Sequence, residues 1–160
     1  MLRNNQAATS ETKEYPKLLL VNTEPSQYTQ MSRPLTPEAE SFRVQIKDII
    51  SKADDGTINN VDRLEARDGR ILYVGVPLSM KIGDLMKHSG LSAEWGFTVF
   101  TFSHRRAVQN PDRSMWLVPL SDRSELICGG SLKEGSLTHV TEPEPIINSG
   151  STVIVFMKFK

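Results

Sequence analysis

The stretch Thr152-Val153-Ile154-Val155-Phe156-Met157-Lys158-Phe159 sets the strongest limit on what this chain can fold into. Val153, Val155, Met157 and Phe159 alternate with Thr152, Ile154, Phe156 and Lys158, the period of a strand, yet both sets are apolar through most of their length. A strand of that kind cannot lie at a surface. It has to run inside a sheet that another layer covers. With 160 residues and 38% hydrophobic content, the chain has enough material for one such core, burying roughly two thirds of its unfolded surface.

Further strands follow from β-branched and aromatic runs bounded by turn residues. Ile71 to Val74, between Gly69 and Gly75, reads as a central strand, Trp95 to Phe102 and Met115 to Leu120 as two more, Glu125 to Cys128 as a shorter one, and Leu137 to Thr141 as a brief pairing segment. Phe42, Val44 and Ile46 alternate with Arg43, Gln45 and Lys47, which predicts a half-buried strand there. Gly129-Gly130 turns the chain, Asn110-Pro111-Asp112 has turn chemistry, and Glu142-Pro143-Glu144-Pro145 is an extended connector.

Two short helices are expected. After the Asp54-Asp55-Gly56 turn, Ile58, Val61 and Leu64 recur at helical spacing with Thr57 as N-cap. The second helix takes Ser79 as N-cap and Ile82, Leu85 and Met86 as its apolar stripe, with Lys87 and His88 at the negative end and Gly90 as the left-handed stop. The elements do not alternate as a doubly wound sheet requires. The expected class is α+β, a mixed, mostly antiparallel sheet of five or six strands with two short helices on one face.

Residues 1–35 differ from the rest. They are polar, with Pro16, Pro25 and Pro34 spaced among Ser, Thr, Gln and Asn, and their one apolar run is Leu18-Leu19-Leu20-Val21. The expected organisation is a flexible N-terminal arm over 1–35 and a single globular domain over 36–160, with Leu18, Leu19, Leu20 and Val21 either docking as an edge strand or serving self-association.

Composition narrows function by exclusion. Charged residues make up 24% and cancel to a formal net charge of +0, so attraction to nucleic acid or to an anionic membrane surface must come from local patches. Cys128 is the only cysteine, which rules out an intramolecular disulfide and a cysteine-based zinc site; it is expected to be a small buried hydrophobe. No apolar leader opens the sequence, no stretch approaches a membrane span, Leu2 precludes N-myristoylation, and Lys158-Phe159-Lys160 offers no cysteine for prenylation. The expected location is intracellular, with no secretion and no transmembrane segment.

Motifs for chemistry are missing. There is no G-x-x-x-x-G-K-[ST], no G-x-G-x-x-G and no G-x-S-x-G, and Gly129-Gly130-Ser131 reads as a hairpin turn. His88, His104 and His139 are far apart in sequence and lack H-E-x-x-H spacing. No enzyme activity, cofactor or metal is expected, although a small hydrolase using Ser131 with His139 or His104 stays open as a constellation that only the fold can assemble. The most basic stretch is the loop from Ser103 to Arg113. Its His104, Arg105, Arg106 and Arg113 follow the aromatic strand of Trp95, Phe97, Phe100 and Phe102, and basic groups beside aromatic ones suit a single-stranded nucleic acid or another anionic partner. A solvated loop is the plain alternative, since the aromatics belong to an apparent core strand.

The run from Phe42-Arg43-Val44-Gln45-Ile46 through the helix ending near Leu64, Leu72-Tyr73-Val74-Gly75 and Met80-Lys81-Ile82-Gly83-Asp84-Leu85-Met86 to Ser89-Gly90-Leu91-Ser92 resembles the core of rhabdovirus matrix proteins over roughly residues 42–95. The resemblance implies a non-enzymatic viral structural protein that self-associates through its arm and bridges the viral nucleoprotein–RNA complex and the inner membrane leaflet during assembly. It would be found in host cytoplasm or nucleus and in the virion. This arm is nearly charge-balanced and has neither P-P-x-Y nor P-[ST]-A-P, unlike several family members, which fits a plant-infecting or otherwise divergent one.

Overall fold

The computed structural model describes residues 30–159. The first long element is a helix where a strand was expected. α1 spans Pro37–Asp54, and its start carries strong local signals. The Thr36 side chain accepts a hydrogen bond from the Ala39 N–H at 3.2 Å, Pro37 sits in the first turn, and Glu38 and Glu40 lie near the positive end of the helix dipole. Ala39, Arg43, Ile46, Ile50 and Ala53 are buried, a spacing of three and four, whereas Val44 is exposed. The alternation of Phe42, Val44 and Ile46 is thus a local coincidence. Capping and the longer 3.6-residue period override it.

The expected helix over Ile58 to Leu64 is corrected in the opposite sense. Thr57 is no N-cap; its N–H donates to the Lys52 carbonyl at 2.9 Å and closes the end of α1. β2 (Asp62–Glu65) then pairs antiparallel with β3 (Arg70–Val74), with Leu64 opposite Leu72. A tight turn joins them, in which the Ala66 N–H donates to the Arg70 carbonyl at 2.8 Å and Gly69 takes φ +88°. Hairpin closure over so short a loop outweighs three apolar residues at helical spacing.

α2 runs Val76–Ser89, and its stripe of Ile82, Leu85 and Met86 is buried as expected, with Gly90 left-handed at φ 77°. It starts earlier than Ser79, whose N–H already donates to the Gly75 carbonyl at 2.9 Å. Gly75 cannot be replaced by a larger residue. A Cβ there would lie 2.1 Å from the Asn60 carbonyl oxygen.

β4 (Trp95–Phe102), β6 (Met115–Pro119), β9 (Ser136–Val140) and β11 (Thr152–Lys158) form the body of the large sheet. β1 (Gln30–Pro34) lies antiparallel to β9, so residues 30–34 of the expected arm are an edge strand; Leu18 to Val21 lie outside the described residues. The order is β1-β9-β6-β11-β4-β3-β2. Four two-residue strands, β5 (Arg106–Ala107), β7 (Glu125–Leu126), β8 (Gly130–Ser131) and β10 (Ile146–Ile147), make a second sheet in the order β5-β10-β7-β8. Among the described residues all pairings are antiparallel. The α+β class holds. The strand count exceeds five or six because of these short strands, the conversion of 62–65 and the addition of 30–34.

β11 lies in the middle of the large sheet with Ile154 and Phe156 on one side and Val153 and Val155 on the other. The first pair joins a core with Ile46, Leu78, Ile82 and Leu85 of the two helices; the second joins a core with Leu126 and Ile147 of the small sheet. The molecule is therefore three layers, helices, large sheet and small sheet. No helix among the described residues is long and apolar enough to cross a membrane.

One buried cation ties α1 to the turn that leads into β9. Arg43 is 6% exposed and meets Glu40 and Glu134 at 2.7 Å each, while Lys47 reaches Glu134 at 2.9 Å. Burial pushes the Glu134 carboxyl up, but the hydrogen bond from Lys47 and the charges of Lys47 and Arg43 outweigh it and hold it below its ordinary range. A carboxyl lowered by folding stabilises the fold above its unfolded pKa, and that contribution disappears as pH falls through the folded value. Arg43→Ala should cost roughly 3 kcal/mol in urea unfolding at neutral pH. Glu134→Gln should be less stable than the parent at pH 7, and the two should converge as pH falls below about 4.5.

Candidate anion-binding cleft

The small sheet covers only part of the large one. Over β4, it buries Phe102 but leaves Phe100 and Thr98, which point the same way, half-exposed. The sequence reading placed these aromatics inside the core; Phe100 is instead only partly covered and Phe97 is exposed. β5, an edge strand of the small sheet, stands beside Phe100 as a wall, whereas Phe97 alternates to the helix-side face with Trp95 and Val99, away from the small sheet.

A cleft of about 390 Å³ lies between that wall and the open sheet. Thr98, Phe100, Val155 and Met157 line it from the large sheet, Arg106, Ala107, Val108 and Gln109 from β5 and the residues after it, and Arg70 of β3 closes one end. A neighbouring hollow of about 300 Å³ shares Gln109 and Met157 and includes Asn110, Ser114 and Lys158. Asn110 holds the bend between the two. It is buried, its side-chain nitrogen donates to the carbonyls of Val140 and Glu142, and its Oδ1 accepts from the Ser114 N–H.

The charge in the cleft is organised by Asp68. Its Oδ2 accepts from Arg70 Nε at 2.9 Å and lies 3.1 Å from Arg106 Nε, and its Oδ1 accepts the Arg70 backbone N–H at 3.1 Å. The Arg70 guanidinium meanwhile lies 4.8 Å from the centre of the Phe100 ring. Two fixed cations against one carboxylate leave a net positive charge beside a half-exposed ring. The hydrogen bonds from Arg70, with the charges of Arg70 and Arg106, hold the Asp68 carboxyl below the usual range, so it is ionised at neutral pH.

The structure brings together some of the residues singled out from sequence and separates others. Arg106 lines the cleft, and His104 packs over the neighbouring hairpin turn, its Cδ2 3.0 Å from where a Cβ on Gly69 would stand. Arg105 is exposed beside them. Arg113 lines neither hollow and sits past Asn110 with φ 52°, its N–H on the Asn110 carbonyl. Asp68 and Arg70 were missed because they come from a segment far in sequence from the basic loop, united with it only by the β3–β4 pairing and the small sheet; Gln109 lies within that loop but, being uncharged, was passed over. The shared facing of Phe100 and Phe102 in an alternating strand was the one available signal.

The other candidates resolve differently. Among the described residues no three His, Cys, Asp or Glu side chains are placed to hold a metal ion. His88 stacks on Phe42 at 5.5 Å, and His139 lies 4.5 Å from Trp116 with its Nε2 3.1 Å from the Ser114 hydroxyl. Ser131, the serine left open as a partner for His139 or His104, is exposed on β8. Gly129 lies in the turn of the β7–β8 hairpin, as expected, with Gly130 pairing with Leu126. Cys128 is exposed, not buried, because it sits in that turn with φ 67°, beyond the end of β7.

The electrostatic arrangement has a direct readout. In a carbon-detected NMR titration the Asp68 carboxyl should titrate below an ordinary aspartate, and Arg70→Ala should move it back up, more than Arg106→Ala does, because Arg70 supplies both hydrogen bonds and charge.

Two of the four elements behind the likeness to matrix proteins are of the other type here, a helix at 42–46 and a strand ending near Leu64. Comparison of the chain with protein-family models, curated proteins and solved structures gives no match.

Proposed function

We propose that this chain is a non-catalytic binding module that takes single-stranded RNA across the open face of its large sheet. The observation that carries this reading is the pair of guanidiniums, Arg70 and Arg106, fixed by one carboxylate at the rim of a cleft with a half-exposed phenylalanine. Single-stranded nucleic acid needs flat apolar surface for its bases and fixed cations for its phosphates, and both lie within this one cleft. Holding the arginines in place before binding lowers the ordering cost that flexible side chains would incur. The formal net charge of +0 makes binding depend on this local patch. In a matrix-like assembly protein the same face would meet the nucleoprotein–RNA complex.

Fluorescence anisotropy with a labelled single-stranded RNA, repeated over a salt series, tests the reading. Affinity should fall steeply with salt, and Arg70→Ala and Arg106→Ala should each flatten the log–log slope by about 0.7–1. Asp68→Asn removes the negative charge while keeping the shape, and should tighten binding. An absence of binding at low salt, or affinities indifferent to all three substitutions, would reject it.

A further inference from the structure

The outer edge of β2 is a second surface to which the structure gives definite chemistry. Among the described residues β2 ends the large sheet, and all four of its own residues are exposed. Its hydrogen-bonding parity follows from the hairpin. The Ala66 N–H bonds the Arg70 carbonyl, and Leu64 stands opposite Leu72 and Asp62 opposite Val74. The even-numbered residues therefore exchange their backbone bonds with β3, and the alternation of an antiparallel ladder turns the N–H and C=O groups of Arg63 and Glu65 outward.

Any antiparallel strand added to this edge has to set its own outward residues against those two. If the added strand is β2 of a second copy, related by a two-fold axis, one allowed register sets Arg63 against Arg63 and another sets Glu65 against Glu65. Both oppose like charges. The register between them sets Arg63 of each copy against Glu65 of the other, twice over, and places Leu64 against Leu64 on the axis. Charged edge strands ordinarily stay single because self-pairing brings like charges together. The order Arg63-Leu64-Glu65 does the reverse in this one register. Arg63 already meets Asp54 through Nε and lies against the Tyr73 side chain, but a guanidinium carries five donors, enough to reach a further carboxylate as well. Leu64, 48% exposed, gains cover from its own copy.

We propose that this chain pairs with a second copy of itself through β2, with Leu64 facing Leu64 and Arg63 facing Glu65, so that the two large sheets continue into one. The strip is short, so the dimer should dissociate on dilution. In such a pair the two Leu64 Cα atoms occupy a non-hydrogen-bonded position about 4.5 Å apart, within the roughly 4.4–6.8 Å span of a disulfide. The full chain carrying Cys128→Ser, which removes its one native and exposed thiol, is the background for the test. Leu64→Cys should yield a covalent dimer under mild oxidation, and Asp62→Cys, which faces Ala66 in this register, should not. In sedimentation velocity over a dilution series, Arg63→Glu or Glu65→Arg alone should leave monomer, and the two together should restore the dimer. Circular dichroism confirms that each variant is folded. A parent chain that sediments as monomer at every concentration, cross-linking of Asp62→Cys equal to that of Leu64→Cys, or a double exchange that fails to restore pairing would overturn the proposal.

Discussion

The burial of both faces of β11 is the constraint on which the remaining architecture depends. A strand whose alternate residues are Val153 and Val155 on one side and Ile154 and Phe156 on the other needs apolar cover above and below. Two amphipathic helices supply one cover. The other comes from a sheet of two-residue strands, held less by its own short ladder than by Leu126, Leu132 and Ile147 packing downward. Because that second cover is small, it cannot span the whole large sheet, and the uncovered remainder over β4, β3 and β2 is where the cleft and the free edge occur. Function, as proposed, occupies the area that the core does not need.

Sequence revealed those parts of the fold whose signals are local and unopposed. β4, β6 and β11 are β-branched or aromatic runs with turns on either side, and α2 has its stripe and its glycine stop, so each was readable from residues close together. The failures lie where a short window supported two periods. Over 42–47 an alternation of three residues hid a helix of 18, whose Thr36-Pro37 start was the better guide. Over 58–64 the spacing of Ile58, Val61 and Leu64 hid a strand that exists because Ala66 to Gly69 can turn the chain back on itself. Two-residue strands have no signature of their own; they are strands only because a neighbour is there.

The cleft was half visible for the same kind of reason. Arg106 stood out through the basic loop, but its effect depends on Asp68 and Arg70, which belong to a different hairpin. Carboxylates serve here chiefly as holders of arginine. Glu40 and Glu134 fix Arg43 beneath the surface to join α1 to the loop before β9, and Asp68 fixes Arg70 and Arg106 at the surface. In the first case the pairing is turned inward and contributes to the fold. In the second the cations keep one side towards solvent.

Gly75 connects these regions mechanically. The Asn60 carbonyl occupies the space any side chain at position 75 would need, so the segment entering β2 and the start of α2 are locked against each other at one point. A terminal strand of four residues would ordinarily loosen at its entry. Clamped there, it keeps its register relative to the body of the sheet, and a displacement of α2 would be felt at the Asp68 turn, where Arg70 on β3 would shift against Arg106 on β5.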